Sequence, residues 1–464
     1  MASLRFLGAT GTVTGSKYVL THKNSNIMVD CGLFQGLKEL RLRNWSPLKV
    51  NVNDLDAIVL THAHIDHTGY LPRMIKQGYN KPVFCTEPTR DLLEIMLLDS
   101  AHLQEEDAKY ANKKGISKHS PAMPLYSTED AKKAIALLKG IPYDTPFRPT
   151  SELIMTFQDA GHILGSAFVI GRWQEESGEE RKIVFSGDLG RSKRPILKDP
   201  STVINADYLL VESTYGNRLH EQGDPKEELS RIINDTINRK GVVVIPSFAV
   251  GRTQELLYTL RELENAGKIP VLPVYVDSPM AIKATKLYSK HTDIYDKEAK
   301  ALKEQGIDVL LTRRTEFTES VDASKRINAS DQPCIIISAS GMMTGGRILH
   351  HLMRRLPSPK NTIVFVGYQA EGTRGRALQS GNEKIKIHGE QVRSAAAIET
   401  ISDFSAHADY NEILNWLGKF EKAPRRTFIV HGEPESSINL KKLIDEKFGW
   451  ITHIPVYEEV VELN

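Results

Sequence analysis

The sequence predicts an α/β protein of two domains, with the second inserted into the first. Three observations carry this reading. The first half is a succession of short apolar runs ending in glycine, acid or histidine. From about residue 217 the strands alternate regularly with helices, and near 395 the strand-rich character returns. The expected boundaries are therefore 1–216 for the first part of the outer domain, 217–394 for the insertion and 395–464 for the second part.

Strands are expected in SKYVLTH, NSNIMVDCG, LDAIVLTHAH and KPVFCTE, and then in LIMTFQDAG, SAFVIGRW and RKIVFSGDLG. Each is a short run rich in β-formers and bounded by turn residues. Leu92, Leu93, Met96 and Leu97 have helical spacing within a helix from Pro88 to Lys114. Others are expected at YLPRMIKQG and near Thr128 to Leu138. ESGEERK (176–182) reads as a polar hairpin connection. Past 217, GVVVIPS leads into GRTQELLYTLRELENAG, and VLPVYVDS into PMAIKATKLYSKH. CIIISASG precedes GRILHHLMRRL, and TIVFVGYQ precedes a short helix. Parallel strands need crossovers of this length, so the repeat predicts a parallel sheet. AAIETISDF, a helix in DYNEILNWLGKF and the strand of TFIVHGE then return to the first domain.

Charged residues make up 25% of the 464 and the hydrophobic set 40%, as in ordinary folded chains. No apolar run approaches the roughly 20 residues of a membrane helix. The start, MASLRFLGATGTVTGS, does not read as a signal peptide. Cys31, Cys85 and Cys334 are far apart, which argues against a disulfide scaffold or a cysteine-built zinc site and fits a reducing cytoplasm. A net charge of +2 leaves a nucleic-acid partner open, because local clustering decides that question. Neither a Walker loop nor a nucleophile elbow is present.

THAHIDHTG, residues 61–69, gathers four side chains able to bind metal. The run IVL delivers His62 at a strand end, and His64, two residues on, points the same way on extended backbone. Asp66 and His67 follow at a turn, so one pair can grip one ion while the other reaches a neighbour. Nitrogen and carboxylate donors favour zinc, and manganese or iron fits the same set. A lone histidine is usually just a polar surface residue, but H-x-H-x-D-H after an apolar strand rarely is. His162, Asp188 and His431 recur at other strand ends, where a site can assemble on rigid elements. His350 and His351 with Arg354 and Arg355 read as a largely solvated helix face. Asp99, His102 and Glu105 read as a helix surface.

These motifs resemble the metallo-β-lactamase superfamily. Asp30 in VDCG looks like its first motif, THAHIDHTG its second, DAGHILGS its third and FSGDLG its fourth. VESTYG with Glu212, DFSAHAD with His407 and IVHGE with His431 resemble the further motifs of the β-CASP subgroup. The likeness covers essentially the whole chain. It is closest to compact prokaryotic ribonucleases related to the endonuclease subunit of the cleavage and polyadenylation specificity factor. From the short C-terminus the extra domain of ribonuclease J is not expected, and neither is a KH-type region before the first strand. The resemblance implies an αββα sandwich carrying an inserted parallel-sheet β-CASP domain. It also implies two zinc ions, one on His62, His64 and His162 and the other on Asp66, His67 and His431, with Asp188 bridging. Asp30 is expected to orient a ligand imidazole.

The implied activity is RNA phosphodiester hydrolysis in RNA processing or decay, leaving 5′-phosphate and 3′-hydroxyl ends. Two divalent ions bring a bridging water's pKa to about 7, so hydroxide is available for attack on phosphorus. His407, held by Glu212, is the expected donor to the leaving oxygen; Asp30 and Asp66 complete the catalytic set. The last-motif histidine, His431, favours single-stranded RNA over DNA, with endonucleolytic cutting expected and 5′ trimming a second mode. Arg252, Ser340 and Arg347 sit at strand-to-helix junctions suited to phosphate, with Arg374 and Arg376 as further candidates. A structural ion pair is the competing reading for each arginine. The resemblance also makes a homodimer plausible. Three rival functions remain: a DNA nuclease, a dinuclear hydrolase of small esters, and a binding subunit without activity.

Overall fold

The computed structural model describes residues 2–115, 120–220, 223–367, 369, 372–401 and 404–464. It divides into two compact units. One comprises Met1–Lys193, Asp199–Leu219 and His407–Asn464, and the other Arg194–Lys198 and His220–Ala406.

The first unit contains two sheets. One takes β1 (Ala2–Phe6), β2 (Tyr18–His22), β3 (Ser25–Val29), β4 (Ala57–Val59), β5 (Val83–Thr86), β6 (Leu138–Ile141) and β21 (Val460–Leu463). Their order is β21-β1-β2-β3-β4-β5-β6. The other takes β7 (Ile154–Asp159), β8 (Ala167–Gln174), β9 (Glu180–Phe185), β10 (Tyr208–Glu212), β19 (Arg426–Val430) and β20 (Thr452–His453), in the order β20-β19-β10-β9-β8-β7. Phe6, Leu20 and Val29 from one sheet meet Phe157, Val169, Phe185 and Leu210 from the other in a shared core. Alternation along β10 shows why both faces are apolar. Tyr208 and Leu210 enter that core, whereas Leu209 and Val211 face a second one built with Ile413, Leu417, Leu440 and Ile444 of the helices Tyr410–Leu417 and Pro434–Phe448. On the far side, the helix Glu87–Lys114 lies along β5 and β6, and Thr128–Ala136 joins it to Leu71–Lys76. The result is the αββα sandwich.

Two strands escape a sequence reading. β1 is short and has no free edge, because β2 and β21 pair with both its sides. β6 has the sequence LKGI, which carries no strand signature, and it is recruited by parallel pairing to β5. Glu105, read with Asp99 and His102 as a helix surface, has a structural contact of its own. Its carboxylate accepts hydrogen bonds from Thr128 N and Oγ1 at 2.7 and 2.9 Å, tying one helix to the start of the next.

The second unit is a three-layer α/β domain. Its sheet contains β11 (Val243–Pro246), β12 (Val274–Val276), β13 (Thr315–Phe317), β14 (Ile335–Ser338), β15 (Thr362–Phe365) and β18 (Ala397–Thr400). The order is β13-β12-β14-β11-β15-β18, and every pair is parallel. A hairpin of β16 (Lys384–Ile387) and β17 (Glu390–Arg393) packs beside it. Val243, Ile245, Ile335 and Ile337 face the helices Pro225–Asn238 and Arg252–Asn265, and Val244 and Ile336 face Ile348–Arg355. The expected return to the first domain at 395 differs from this arrangement. AAIETISDF supplies β18, which pairs with β15, and the first unit resumes at His407. Ser402 and Asp403 of that run lie outside the described residues, as does Tyr368 of TIVFVGYQ.

The loop after β3 approaches the THAHIDHTG turn so closely that it admits no side chain. A Cβ on Gly32 would lie 1.6 Å from the carbonyl oxygen of Asp66. Backbone bonds of 2.6 Å from Cys31 N to His67 O and 2.9 Å from Leu33 N to Ile65 O hold the two segments together. Gly32→Ala is therefore expected to cost about 1–3 kcal/mol through overpacking, read as a lowered midpoint in thermal denaturation together with reduced metal content. An unchanged midpoint would show that the turn yields freely.

Candidate metal centre

Five of the seven candidate ligands leave the end of a strand in the sandwich. His62 and His64 follow β4, His162 follows β7, Asp188 follows β9 and His431 follows β19. Asp66 and His67 occupy a single helical turn, Ile65–Thr68. The ligand atoms form two groups, His62, His64, His162 and Asp188 in one, and Asp66, His67 and His431 in the other, each within 4.8 Å of one another. Asp188 divides its oxygens between them. Oδ2 lies 3.4 Å from His62 Nε2 and 3.5 Å from His162 Nε2, and Oδ1 lies 3.2 Å from His67 Nε2.

Asp30 touches neither group directly except through His67. Its Oδ2 accepts from His67 Nδ1 at 2.7 Å and from Thr61 Oγ1 at 3.0 Å, and its Oδ1 accepts from Thr61 N at 2.8 Å. That bond directs Nε2 of His67 inward. Thr214 stands in the same relation to His431, with its hydroxyl 3.1 Å from Nδ1. Nothing in the sequence singles out Thr61 or Thr214, although each lies beside a motif residue. Asp30 and His431 both adopt left-handed backbone, φ 60° and 50°, a conformation that costs free energy for residues with a side chain. Backbone bonds from Asp30 N to Val59 O and from His431 N to Ala9 O, 2.9 and 2.8 Å, hold them there.

The donors fit a divalent cation. His62 Nε2 faces His64 Nδ1 at 3.1 Å, His162 Nε2 faces His64 Nδ1 at 3.3 Å, and His67 Nε2 faces His431 Nε2 at 3.1 Å. Ring nitrogens thus converge on each other, although every one of these rings except His64 is buried. Asp188 Oδ1 approaches His67 closely but in a direction that makes no hydrogen bond. His62, His64, His162 and Asp188, and likewise Asp66, His67 and His431, have the donor atoms to hold a divalent cation, which would offset that convergence.

Burial, reinforced by repulsion from His67, lowers the pKa of His62 to about 3. Burial also lowers His64, and holds His162 well below its ordinary value with help from His407. All three are neutral near pH 7, the form that presents a lone pair to metal. His67 differs. Burial opposes its charge, but the Asp188 and Asp30 carboxylates outweigh burial and raise its pKa well above the ordinary value. Asp188 is likewise penalised by burial, yet the surrounding imidazoles, His431 and His67 foremost, keep it ionised.

Glu212, the last residue of β10, is fully buried. Its Oε1 accepts from Leu189 N at 2.6 Å, and its two oxygens lie 3.1 and 3.3 Å from His407 Nδ1. His407 Nε2 consequently points toward Asp188, 3.9 Å from Oδ2. Burial works against a charged His407, but Glu212 and then Asp188 dominate and push its pKa up to about 9.

The other site candidates lie in the second unit. Arg252 is buried and donates to Glu255 at 2.8 Å. Arg347 gives Nη1 to Asp277 Oδ1 at 2.7 Å and to Thr318 O, and Nη2 to Glu319 O. The same Asp277 accepts from buried His351, so His350–Arg355 is less solvated than its sequence implies. Ser340 Oγ accepts from Thr344 N at 3.0 Å, Arg374 donates to Lys386 O, and Arg376 is exposed. The contacts of both Arg252 and Arg347 are those of structural ion pairs.

Three family models match the chain. The metallo-β-lactamase superfamily covers residues 10–237, the β-CASP domain 253–378 and the Zn-dependent metallo-hydrolase RNA specificity domain 391–455. Ribonuclease TTHA0252 of Thermus thermophilus is 37% identical over 438 residues, 94% of each chain. The chain belongs to the β-CASP family of the metallo-β-lactamase superfamily. Other β-CASP relatives include transcription termination factor FttA of Methanosarcina mazei, 32% identical over 98% of this chain and 71% of its own, and that of Methanocaldococcus jannaschii, 31% identical over 99% and 71%. A crystal structure of a protein of unknown function from Enterococcus faecalis shares the fold, with a TM-score of 0.55 at 13% identity over 99% of both chains.

The two ligand groups should respond differently to acid. A proton on His67 competes with metal for Nε2, so affinity at the group of Asp66, His67 and His431 should rise with pH. The three-histidine group has no proton to displace near neutrality. Metal analysis after dialysis across a pH series should show the former group emptying first on acidification. Simultaneous loss of all metal would contradict the assignment.

Proposed function

We propose that this chain is a zinc-dependent ribonuclease that hydrolyses RNA phosphodiester bonds to 5′-phosphate and 3′-hydroxyl ends. The carrying observation is the Glu212–His407 pair beside a double set of metal ligands. Ester hydrolysis with a good leaving group needs no such proton donor, whereas a departing 3′-alkoxide does. The relatives named ribonuclease and transcription termination factor, and the match to an RNA specificity domain, support RNA as the polymer. Among the described residues no helix is long and apolar enough to cross a membrane, and a cytoplasmic location with single-stranded substrate accords with this reading.

His62, His64 and His162 would hold one ion and Asp66, His67 and His431 the other, with Asp188 shared. Bound divalent cations supply Lewis acidity toward water and phosphate oxygens. The chain's own groups do the rest. Asp30 and Thr214 fix the ring orientation of His67 and His431. Glu212 accepts the Nδ1 proton of His407, which leaves the Nε2 proton aimed at the site. His407 delivers that proton to the leaving oxygen. Its raised pKa keeps it protonated at neutral pH, and cations bound nearby would pull that value down.

Labelled single-stranded RNA, matched DNA and generic esters, offered to the zinc-loaded chain, separate the candidate activities. RNA cleavage is expected, and intact esterase activity without it would sink the proposal. His407→Ala should lower kcat by about 10²–10⁴ while metal content stays at the wild-type level; loss of an ion would make His407 a ligand instead. Asp188→Ala should abolish activity and weaken both ions. Glu212→Gln removes the negative charge that favours protonated His407, so the alkaline limb of the kcat profile should move to lower pH. An unmoved limb would separate Glu212 from His407 titration.

A further inference from the structure

We propose that residues 35–49 form a platform for single-stranded RNA, on which a nucleobase stacks against Trp45 while Lys38, Arg41 and Lys49 take flanking phosphates. The inference rests on the ribonuclease reading and adds a binding site beyond the metal ligands and the Glu212–His407 pair.

Folding leaves this segment unburied to an unusual degree. The helix Lys38–Arg43 contributes no buried residue. Leu37 and Leu42 are 55% and 56% exposed, and Trp45 is 50% exposed, whereas Trp173, Trp416 and Trp450 are 2%, 8% and 8% exposed. Trp45 is therefore the one indole of the four tryptophans that lies open to solvent. The segment is nevertheless held in place. Asn44 Oδ1 accepts from Phe34 N at 2.9 Å, and its Nδ2 donates to Phe34 O at 2.8 Å. Arg43 lies over the rings of Phe34 and Tyr457 at 5.5 and 4.4 Å. Buried Lys17 sits 4.6 Å from the Phe34 ring, and Arg73 sits 5.9 Å from the Trp45 ring. An aromatic face that is anchored by polar contacts and left open is what base stacking requires.

The charge around it selects the partner. Between Cys31 and Asn53 the chain carries Lys38, Arg41, Arg43 and Lys49 against Glu39 alone. Among the described residues, none of Lys38, Arg41 and Lys49 enters an ion pair. A cationic surface interleaved with an exposed indole complements a flexible polyanion with flat apolar faces, which is single-stranded nucleic acid. The segment is also tied to the candidate centre. Phe34 follows Leu33, whose N–H donates to Ile65 O, and Arg73 belongs to the helix Leu71–Lys76 that follows His67. A strand held on Trp45 would thus be registered against the backbone that carries Asp30 and His67.

Trp45 itself reports the test. A phosphorothioate oligouridine of roughly 12 nucleotides, added to the full metal-loaded chain, should quench the solvent-exposed part of the tryptophan emission, and Trp45→Phe should remove that change. Trp45→Ala should weaken binding, measured by anisotropy of labelled oligomer, about 5- to 150-fold. Lys38→Glu with Arg41→Glu should flatten the salt dependence of affinity by a slope of about 1.4. Binding by anisotropy with unchanged Trp45 emission and unchanged affinity in Trp45→Ala would overturn the platform and leave the ribonuclease reading intact. So would a Trp45-dependent self-association in sedimentation with unaltered RNA affinity, since the face would then serve a second copy of this chain. A wild-type chain that neither binds nor cleaves RNA would instead bring down the ribonuclease reading, and the platform with it.

Discussion

The centre depends on one carboxylate, that of Asp188, held out of water and required to stay charged. Removing an ion from water costs several kcal/mol even after the protein relaxes, so the surroundings must return that energy through opposite charge. The imidazoles of His431, His67, His62 and His407 do so in the metal-free chain. The same crowding forces the histidines apart in character. His62 and His162 are pressed to neutrality by burial, and His67, which touches both Asp30 and Asp188, is pressed to the charged form. A divalent cation satisfies both demands at once, since it offers Asp188 positive charge and accepts the lone pairs of the neutral rings. The site is thereby a consequence of electrostatics in a dry place, with the sequence motifs supplying the donors.

Rigid backbone keeps this arrangement from relaxing. Both sheets of the sandwich are covered on both faces, so strand ends cannot slide without opening a core. Asp30 and His431 occupy left-handed conformations pinned by backbone bonds to β4 and to Ala9. Gly190 plays a part like that of Gly32, because a Cβ there would come within 2.0 Å of Gly161 O, beside His162. Close approaches of this sort bring third-motif and fourth-motif loops together at a distance that side chains alone could not set.

Much of this was legible from the residues. An apolar run ending in histidine or aspartate announces both a strand and the place where its polar residue emerges, so β4, β7, β9 and β19 and the clustered polar side chains after them could be anticipated together. The β-α alternation of the second unit was equally plain, because its sheet is buried on both faces and its strands are continuous apolar runs. What stayed hidden depended on partners distant in sequence. LKGI becomes β6 only because β5 offers an edge. AIET joins β15 rather than the first unit, and nothing in its composition distinguishes the two sheets. Thr61 and Thr214 are ordinary residues until a ring nitrogen lies 3.0 to 3.1 Å away. Arg252 and Arg347 have the positions of anion grips, but Glu255 and Asp277 reach them first.

The pairing of β1 with β21 has a temporal meaning. The first unit closes its sheet with residues 460–463 and draws His407 and His431 from the segment that follows the inserted domain. During synthesis, therefore, all four early motifs leave the ribosome before the centre can exist. The inserted domain can fold in the interval, because its sheet needs nothing beyond residue 400. Until His431 emerges, the group of Asp66, His67 and His431 is incomplete, so the order of the motifs along the chain makes the second group the last part of the centre to form.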